Sequence, residues 1–335
     1  EDFNQEFRAV SVNANGSLVV DANGVPVLGE RLRPDAILAR PIAPAPGEIS
    51  AQNIKPMYEE EFILGYDHEF AGGPLDGWRG GARYINRNLA STIEDTDLGR
   101  GGAIERYCIR THNPLCQPGG SGSDSSNDLF TGHYVLLNPG KSADLMLDLA
   151  HGPGGPNLAP VTLTAQDLRL PEAKRKYQAL EFTFERPFDG LWMVQGSYVL
   201  ARSKGNYEGA VKSDIGQTDT SLTQDFDAYF LADGADGYLP NDRRHTFKLF
   251  GAYQITEQLR IGGNFYAQSG RPYGCIGFNE EDTSAGATPS AWRCIRGGQS
   301  VLTPRGSQGL TGWVTNTDVN LTYDISDDIM VYGTW

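Results

Sequence analysis

The sequence alternates apolar and polar residues in stretches that come in pairs. A short turn joins the two stretches of each pair, whereas long loops rich in Gly and Asp separate one pair from the next. Successive side chains of a β-strand point to opposite faces, so the alternation predicts strands with one apolar and one polar face. Short connections at one end and long connections at the other are typical of a transmembrane β-barrel.

The clearest pair runs from Arg244 to Ser269. Phe247 and Leu249 share one face of the first strand, and Ile261 and Phe265 share one face of the return strand. Each strand has about the 9–11 residues that a tilted strand needs to cross a bilayer. One face therefore suits lipid and the other suits water.

Three more pairs follow the same pattern. They are 62–67 with 78–89, 179–185 with 192–200, and 315–323 with 329–335. Aromatic residues cluster at strand ends, as in the interfacial girdles of membrane barrels. They are Tyr58, Phe70, Trp78, Phe188, Trp192, Tyr253, Tyr273, Trp313 and Tyr323. A soluble β-sandwich is the alternative fold, but its turn signals usually recur every ~8–12 residues.

We therefore predict an all-β fold: a partial, antiparallel up-and-down transmembrane barrel of about eight strands with long extracellular loops. Residues 1–57 are polar and turn-rich and predict an extracellular region with small hairpins. The barrel portion is expected at 58–335, with loops at about 94–172, 204–242 and 270–312. The first loop is long enough for strands of its own, with one expected at 134–137.

Composition narrows the class of function. The formal net charge of -14 argues against nucleic-acid binding, which needs a basic surface. Mean hydropathy is -0.40, and no apolar run approaches the ~20 residues of a membrane helix. No signal peptide is visible at Glu1, so we expect the chain to be a fragment that begins within a loop and ends in a shortened strand.

Acidic residues concentrate at 94–97, 233–236 and 280–282. The simpler interpretation is that these are solvated loops kept soluble by like charge. Binding of a divalent cation is the alternative, because hard cations prefer several oxygen ligands. No segment shows the regular spacing of a dedicated calcium loop.

The four cysteines fall within two of the long loops. Four cysteines allow three pairings, and the two local ones, Cys108–Cys116 and Cys275–Cys294, keep each bridge within its own loop. Disulfides indicate an oxidising compartment. A zinc site is the competing interpretation, but these spacings, with His112 as the nearby imidazole, match no common zinc pattern.

Catalytic motifs are lacking in the sequence. The histidines are scattered, without metal-ligand spacing or a nucleophile beside them. The Gly-rich stretch 119–123 lacks the preceding strand and following helix of a phosphate-binding loop, so a flexible loop tip is expected. We therefore predict no enzymatic activity, no cofactor and no metal site.

Several short sequence segments closely resemble the C-terminal half of the barrel of TonB-dependent outer-membrane receptors. These are LPNDRRHTFKL at 239–249, SGRPY at 269–273 and YEEEFILGY at 58–66; YVLARSKGNYEG at 198–209 resembles the Oar-like branch. The resemblance implies a 22-stranded barrel with an N-terminal plug, located in the outer membrane of a Gram-negative bacterium, that imports scarce nutrients with energy transmitted by TonB. The implied partners are outer-membrane lipid, the plug, TonB and a small ligand.

No stretch of this sequence resembles the family's plug or TonB-contacting segment, so we expect these 335 residues to be a fragment of the barrel part. Strand parity selects lumen-facing candidates for substrate contact: Arg83, Arg87, Glu181, Gln195, Asn264, Tyr266 and Gln268. The alternative for each is a purely structural polar contact. Asp242, Arg243 and Arg271 stand at loop-strand junctions and are expected to anchor loops by hydrogen bonds.

Siderophore, peptide and glycan receptors share this barrel, so the sequence does not select the ligand. The alternative function is a surface-display or adhesion barrel that transports nothing. A third possibility is a secreted, soluble β-protein.

Overall fold

The computed structural model describes residues 45–116, 129–217, 220, 223–282 and 290–335, and short stretches before residue 45. Those stretches are 3–5, 8–11, 13, 18–22, 25–31 and 36–39. The chain divides into two compact units, Glu1–Pro46 and Gly47–Trp335. The division falls before the predicted boundary at 57–58.

The first unit contains two antiparallel pairs of short strands. Strand β1 (Phe3–Gln5) pairs with β4 (Ala36–Ala39), and β2 (Arg8–Val10) pairs with β3 (Leu28–Arg31). The Asn-Gly dipeptides at 15–16 and 23–24, which favour hairpin turns, lie outside the described residues.

The second unit is built on one antiparallel sheet whose spatial order follows the sequence. Its strands are β5 (Tyr58–Glu69), β6 (Arg79–Ser91), β11 (Arg175–Arg186), β12 (Trp192–Gly205), β14 (His245–Gln254), β15 (Leu259–Gln268), β18 (Val314–Ser326) and β19 (Ile329–Thr334). Consecutive strands in this series pair with each other. The short β13 (Gly237–Tyr238) pairs with the last two residues of β12. The predicted all-β, up-and-down architecture of eight strands is therefore confirmed.

The sheet is open within the described residues: β5 pairs with β6 alone, and β19 pairs with β18 alone. Short connections at 70–78, 187–191, 255–258 and 327–328 lie at one end of the strands. Long connections at 92–174, 206–244 and 269–313 lie at the other.

One face of the sheet, here called the apolar face, carries large exposed hydrophobic side chains on every long strand except β6, where Tyr84 on the same face is half-buried. Leu64 on β5 is 66% exposed, Phe182 on β11 is 46% exposed and Leu249 on β14 is 42% exposed. Aromatic rings lie side by side along it: Tyr198 stacks on Phe247 with ring centroids 4.5 Å apart. An apolar surface of this extent is unusual on a soluble monomer and marks a contact with another apolar phase.

The opposite, polar face carries the alternate residues. Cross-strand neighbours share a face, so the register continues across strands: Gln195 lies opposite Phe250, and Phe250 lies opposite Asn264. Asn264 in turn lies opposite Asp318 on β18. The separation of faces predicted from alternation is thus present on all central strands.

The first long connection folds into a small module with its own core. It contains β7 (Glu94–Asp97) paired with β8 (Tyr134–Leu137), and β9 (Ala143–Leu147) paired with β10 (Ala159–Leu163). Strand β8 was predicted at these residues and is confirmed. On β9 the alternation buries one side, as in a half-buried strand.

Helices α2 (Ala103–Thr111) and α3 (Ala165–Leu168) also belong to this module. Helix α2 buries Ala103, Ile104 and Tyr107 against the strands. Helix α3 starts with a capping box, in which Thr164 and Asp167 exchange side-chain-to-backbone hydrogen bonds. Before the module, the single helical turn α1 (Pro46–Ile49) precedes β5.

The remaining long connections contain single turns of 3-10 helix and the hairpin of β16 (Arg293–Arg296) with β17 (Gln299–Leu302). In the part of the chain that the structure describes, no helix combines the length and apolar character needed to cross a membrane.

Candidate functional site

A hollow of about 400 Å³ lies on the polar face of the central strands. It is lined by residues of β11, β12, β14, β15 and β18: Thr183, Gln195, Gly196, Ser197, Lys248, Leu249, Phe250, Asn264, Phe265, Tyr266, Asn316 and Asp318. We call it the polar hollow. Its volume lies within the range of about 300–1,000 Å³ typical of small-molecule sites.

Three of the predicted lumen-facing residues, Gln195, Asn264 and Tyr266, meet in the polar hollow. They come from two non-adjacent strands, and β14 lies between them. The Tyr266 hydroxyl donates to the amide oxygen of Gln268 at 2.5 Å, which places the predicted Gln268 at the edge of this group.

Sequence reasoning missed the two charged residues of the hollow, Lys248 and Asp318. Both have the parity of the polar face, so the signal used for the other residues also identifies them. Among the described residues, no carboxylate lies within 4.0 Å of the Lys248 ammonium. Asp318 accepts a hydrogen bond from Asn316 at 2.8 Å. The hollow thus offers an ammonium, a carboxylate and several amides.

The predicted Arg83, Arg87 and Glu181 lie elsewhere on the polar face, in a ladder of ion pairs. Arg83 lies 3.4 Å from Asp67 and 3.8 Å from Glu181. Arg87 pairs with Glu61, and its guanidinium lies 5.8 Å above the Tyr177 ring. These cations already have partners on adjacent strands.

The three predicted loop-anchoring residues all make hydrogen bonds at loop-strand junctions. Buried Asp242 accepts from the Ser203 amide at 2.6 Å, and Arg243 donates to the Ser269 carbonyl at 2.9 Å. Arg271 acts through its backbone, whose N–H donates to the Thr311 hydroxyl at 3.0 Å.

The three long connections pack together into one body, here called the loop assembly. Thr96 of the first connection donates to the Phe226 carbonyl of the second at 2.9 Å. Arg100 of the first pairs with Asp282 of the third at 2.6 Å. These contacts join segments far apart in sequence, so the loops support one another beyond the end of the sheet.

A buried charge cluster joins the second and third connections. Lys212 and Arg305 have fully buried side chains; Lys212 pairs with Asp225 at 2.6 Å, and Arg305 pairs with Asp214 at 2.5 Å. The Trp292 ring lies beside both cations, 5.1 Å from the Lys212 ammonium and 4.8 Å from the Arg305 guanidinium. Removing one partner of such a pair leaves an uncompensated buried charge.

The acidic stretch 94–97 is not a solvated loop, and that interpretation was wrong. It forms β7, in which Glu94 is 0% exposed and Asp97 is buried. The Glu94 carboxylate accepts from the Thr223 amide at 3.0 Å, and Asp97 accepts from the amides of Gly99 and Arg100. Tertiary packing buries these groups, which composition alone could not indicate.

Burial changes the acidity of this region. Desolvation, reinforced by the charge of Asp95, raises the pKa of Glu94 to about 8. Desolvation likewise raises the pKa of Asp227 to about 8, although the Arg100 guanidinium, 3.6 Å away, acts in the opposite direction. Within the described ranges, no group of three or more His, Cys, Asp or Glu residues is placed to hold a metal ion.

Both predicted disulfides are present. Cys108–Cys116 ties the end of α2 to the turn that follows it, and Cys275–Cys294 ties the start of the third connection to β16. No cysteine remains free. The Gly-rich stretch 119–123, expected as a flexible loop tip, lies outside the described residues.

Sequence comparison finds one curated relative, the TonB-dependent transporter Oar of Myxococcus xanthus. The two are 27% identical over 285 residues, which cover 83% of this chain and 20% of that protein. The chain thus spans about a fifth of the relative's length. No family model matches the chain.

Two solved structures show weaker similarity. One is P. aeruginosa FpvA bound to heterologous pyoverdines, with a TM-score of 0.39 and 11% identity over 86% of this chain and 24% of that one. The other is the ferric-catecholate import receptor Fiu of E. coli K12, with a TM-score of 0.28 and 12% identity over 98% of this chain and 35% of that one.

The predicted resemblance is therefore confirmed by the alignment with Oar: over most of its length, this chain is similar to a segment of a TonB-dependent transporter.

Proposed function

We propose that the chain forms part of the barrel and surface loops of an outer-membrane TonB-dependent transporter. In this proposal the loop assembly captures a scarce nutrient, the polar face passes it inward, and TonB supplies the energy. The outer membrane of a Gram-negative bacterium is the corresponding location. The plug and the TonB-contacting segment belong to the full-length protein.

The observation that carries the proposal is the two-faced sheet. Four strand pairs expose hydrophobic side chains on one face and polar side chains on the other, with all long connections at one end. A barrel wall needs this arrangement, because its outer face meets lipid and its inner face meets water. The sequence similarity to Oar supports the same assignment.

The polar hollow supports ligand passage on the inner face. Lys248 brings an ammonium that no described carboxylate approaches within 4.0 Å, Asp318 brings a carboxylate elsewhere in the hollow, and Gln195 and Asn264 bring amide donors and acceptors. These groups suit a polar ligand that carries at least one negative group.

The test is growth of a strain that lacks the protein, in media where the limiting nutrient is ferric iron, peptide or glycan. We expect the strain to fail in one medium, full-length protein to restore growth there, and loss of TonB to reproduce the failure. Lys248→Met in the full-length protein should slow growth in that medium, whereas Glu257→Gln, at an exposed position of the short 255–258 connection, should not. Equal growth of the deletion strain in all three media would contradict transport.

Surface display without transport is the second candidate function. The observation that favours it is the loop assembly, which has its own core and two disulfides and therefore resembles a folded domain on display. The two functions differ in TonB dependence: cell attachment that is lost with the protein but kept without TonB would support display.

A further inference from the structure

Basic side chains gather where the apolar face meets the loop assembly. Lys176 lies near the start of β11, and Arg202 and Lys204 lie near the end of β12. All three have the parity of the apolar face, as Phe182 and Leu200 do, and all three are exposed. With Lys174, one position before β11, they form what we call the basic rim.

The basic rim places like charges directly opposite each other. Lys176 and Lys204 are cross-strand partners in the register of β11 and β12. Like charges at such positions destabilise a sheet. Among the described residues, no carboxylate lies within 4.0 Å of either ammonium, and Lys204 instead lies 4.6 Å from the Tyr238 ring. A bound anion would relieve this repulsion.

A groove of about 610 Å³ adjoins the rim and adds two further cations. Lys55, Lys141 and Lys174 line it, and Glu172 is the one carboxylate among its lining residues. Glu172 pairs with Lys141, and that ammonium lowers the pKa of the Glu172 carboxyl group. The groove therefore keeps an excess of positive charge on a chain whose formal net charge is -14.

The backbone that carries these lysines is held in place. The Asn138 amide donates to the carbonyls of Lys55 at 3.0 Å and Thr92 at 2.7 Å, and its oxygen accepts from the Lys55 amide. Lys174 donates its N–H to the Asn206 side chain at 2.6 Å. A side chain at Gly205 would collide with the Lys174 carbonyl. The fold therefore fixes the backbone positions from which Lys55 and Lys174 extend into the groove.

The position of the rim identifies its ligand. It lies just beyond the last exposed hydrophobic residues of β11 and β12, at the level where lipid headgroups meet a membrane protein. Flexible ammonium groups at this level can keep their stems along apolar surface and their charges in the headgroup layer. The negatively charged groups in that layer are phosphates.

We propose that the basic rim and the adjoining groove bind the phosphate groups of membrane lipid headgroups in the outer leaflet. The inference rests on the proposed function, because it requires the apolar face to be embedded in a bilayer. Lipid bound there would neutralise the Lys176–Lys204 repulsion and fix the loop assembly relative to the membrane surface.

The test uses the full-length protein in vesicles of phosphatidylcholine mixed with phosphatidic acid, whose headgroup is an exposed phosphate. Native mass spectrometry of the extracted protein measures which lipid is retained. We expect preferential retention of phosphatidic acid, weakened roughly fivefold for each lysine removed in Lys176→Gln/Lys204→Gln. Lys176→Arg/Lys204→Arg should keep the preference, since the charges remain.

The matched control is Arg260→Gln/Arg296→Gln, which removes two charges away from the rim and should leave the lipid preference unchanged. Equal retention of both lipids by the unmodified protein would overturn the inference, and so would full competition by inorganic phosphate at low concentration. Flotation with pure phosphatidylcholine vesicles separates the two proposals: a protein that floats without lipid preference keeps the barrel and loses the lipid site. Failure to float overturns both.

Discussion

Glu94 shows how a residue acquires its chemistry from its surroundings. It joins two loops, since its carboxylate on β7 accepts from Thr223 of the second connection. Its other oxygen, Oε1, is buried and has no hydrogen-bond partner among the residues that the structure describes. Burial therefore favours the protonated Glu94 carboxyl group, whose O–H can donate a hydrogen bond. For this reason the pKa of Glu94 is raised to about 8.

This raised pKa makes the stability of the loop assembly depend on pH. The folded state binds the Glu94 proton more tightly than the unfolded state, so the contribution is complete below the ordinary value of 4.5 and is lost as pH rises towards 8. We expect the loop assembly to lose a few kcal/mol between about pH 5 and about pH 8. Pulse proteolysis in urea, read from cleavage within 92–174, measures this loss.

Glu94→Gln should reduce that pH dependence and stabilise the loop assembly near pH 8, because a neutral amide replaces a buried carboxylate. Asp227, whose pKa is also about 8, maintains the remaining dependence. Glu280→Gln, at an exposed position of the third connection, is the control and should retain the full pH dependence. An unchanged pH profile in Glu94→Gln would refute this account.

At the scale of elements, the hairpin of β16 and β17 depends on a covalent link. The hairpin is short, with four residues in each strand, and an isolated hairpin is marginally stable in water. The Cys275–Cys294 disulfide joins two residues that are 19 positions apart in the sequence, and it holds the hairpin through Cys294 on β16. The link limits the freedom of the unfolded third connection.

We expect Cys275→Ser/Cys294→Ser to destabilise the third connection by about 3 kcal/mol, a typical value for a loop of this size. The main sheet should stay folded, because none of its strands pairs with the hairpin. Hydrogen exchange of the amides of 293–302, compared with those of β14, measures both effects. Equal loss of protection in β14 would contradict the independence of these elements.

At the scale of the molecule, the apolar face determines which surroundings stabilise the main sheet. Large hydrophobic side chains are exposed on this face of seven of the eight long strands, so water on both faces would leave them without apolar contacts. In the proposed function a bilayer contacts the apolar face, and the polar face is hydrated.

Leu249→Arg places a charge at the middle of β14 on the apolar face. We expect it to destabilise the full-length protein in vesicles by about 2–4 kcal/mol, the cost of Arg near the bilayer midplane. Gln195→Arg, on the polar face of the adjacent strand, is the matched control and should cost much less. Urea titration of vesicle-bound protein measures the two costs; equal values would contradict the assignment of the faces.

The sequence by itself determined the eight long strands of the main sheet, the order in which they pair, and the division of their side chains between two faces. Alternation is a local property, and a one-residue shift would move a whole strand's hydrophobic set to the wrong face. The strand at 134–137 and both disulfides were predictable for the same reason, because each depends on residues near one another in the chain.

The tertiary structure alone decided what the long loops do. It packs 92–174, 206–244 and 269–313 together and buries Glu94 and Arg305. Those contacts join residues distant in sequence, and their energies come from burial and charge pairing that no local pattern encodes.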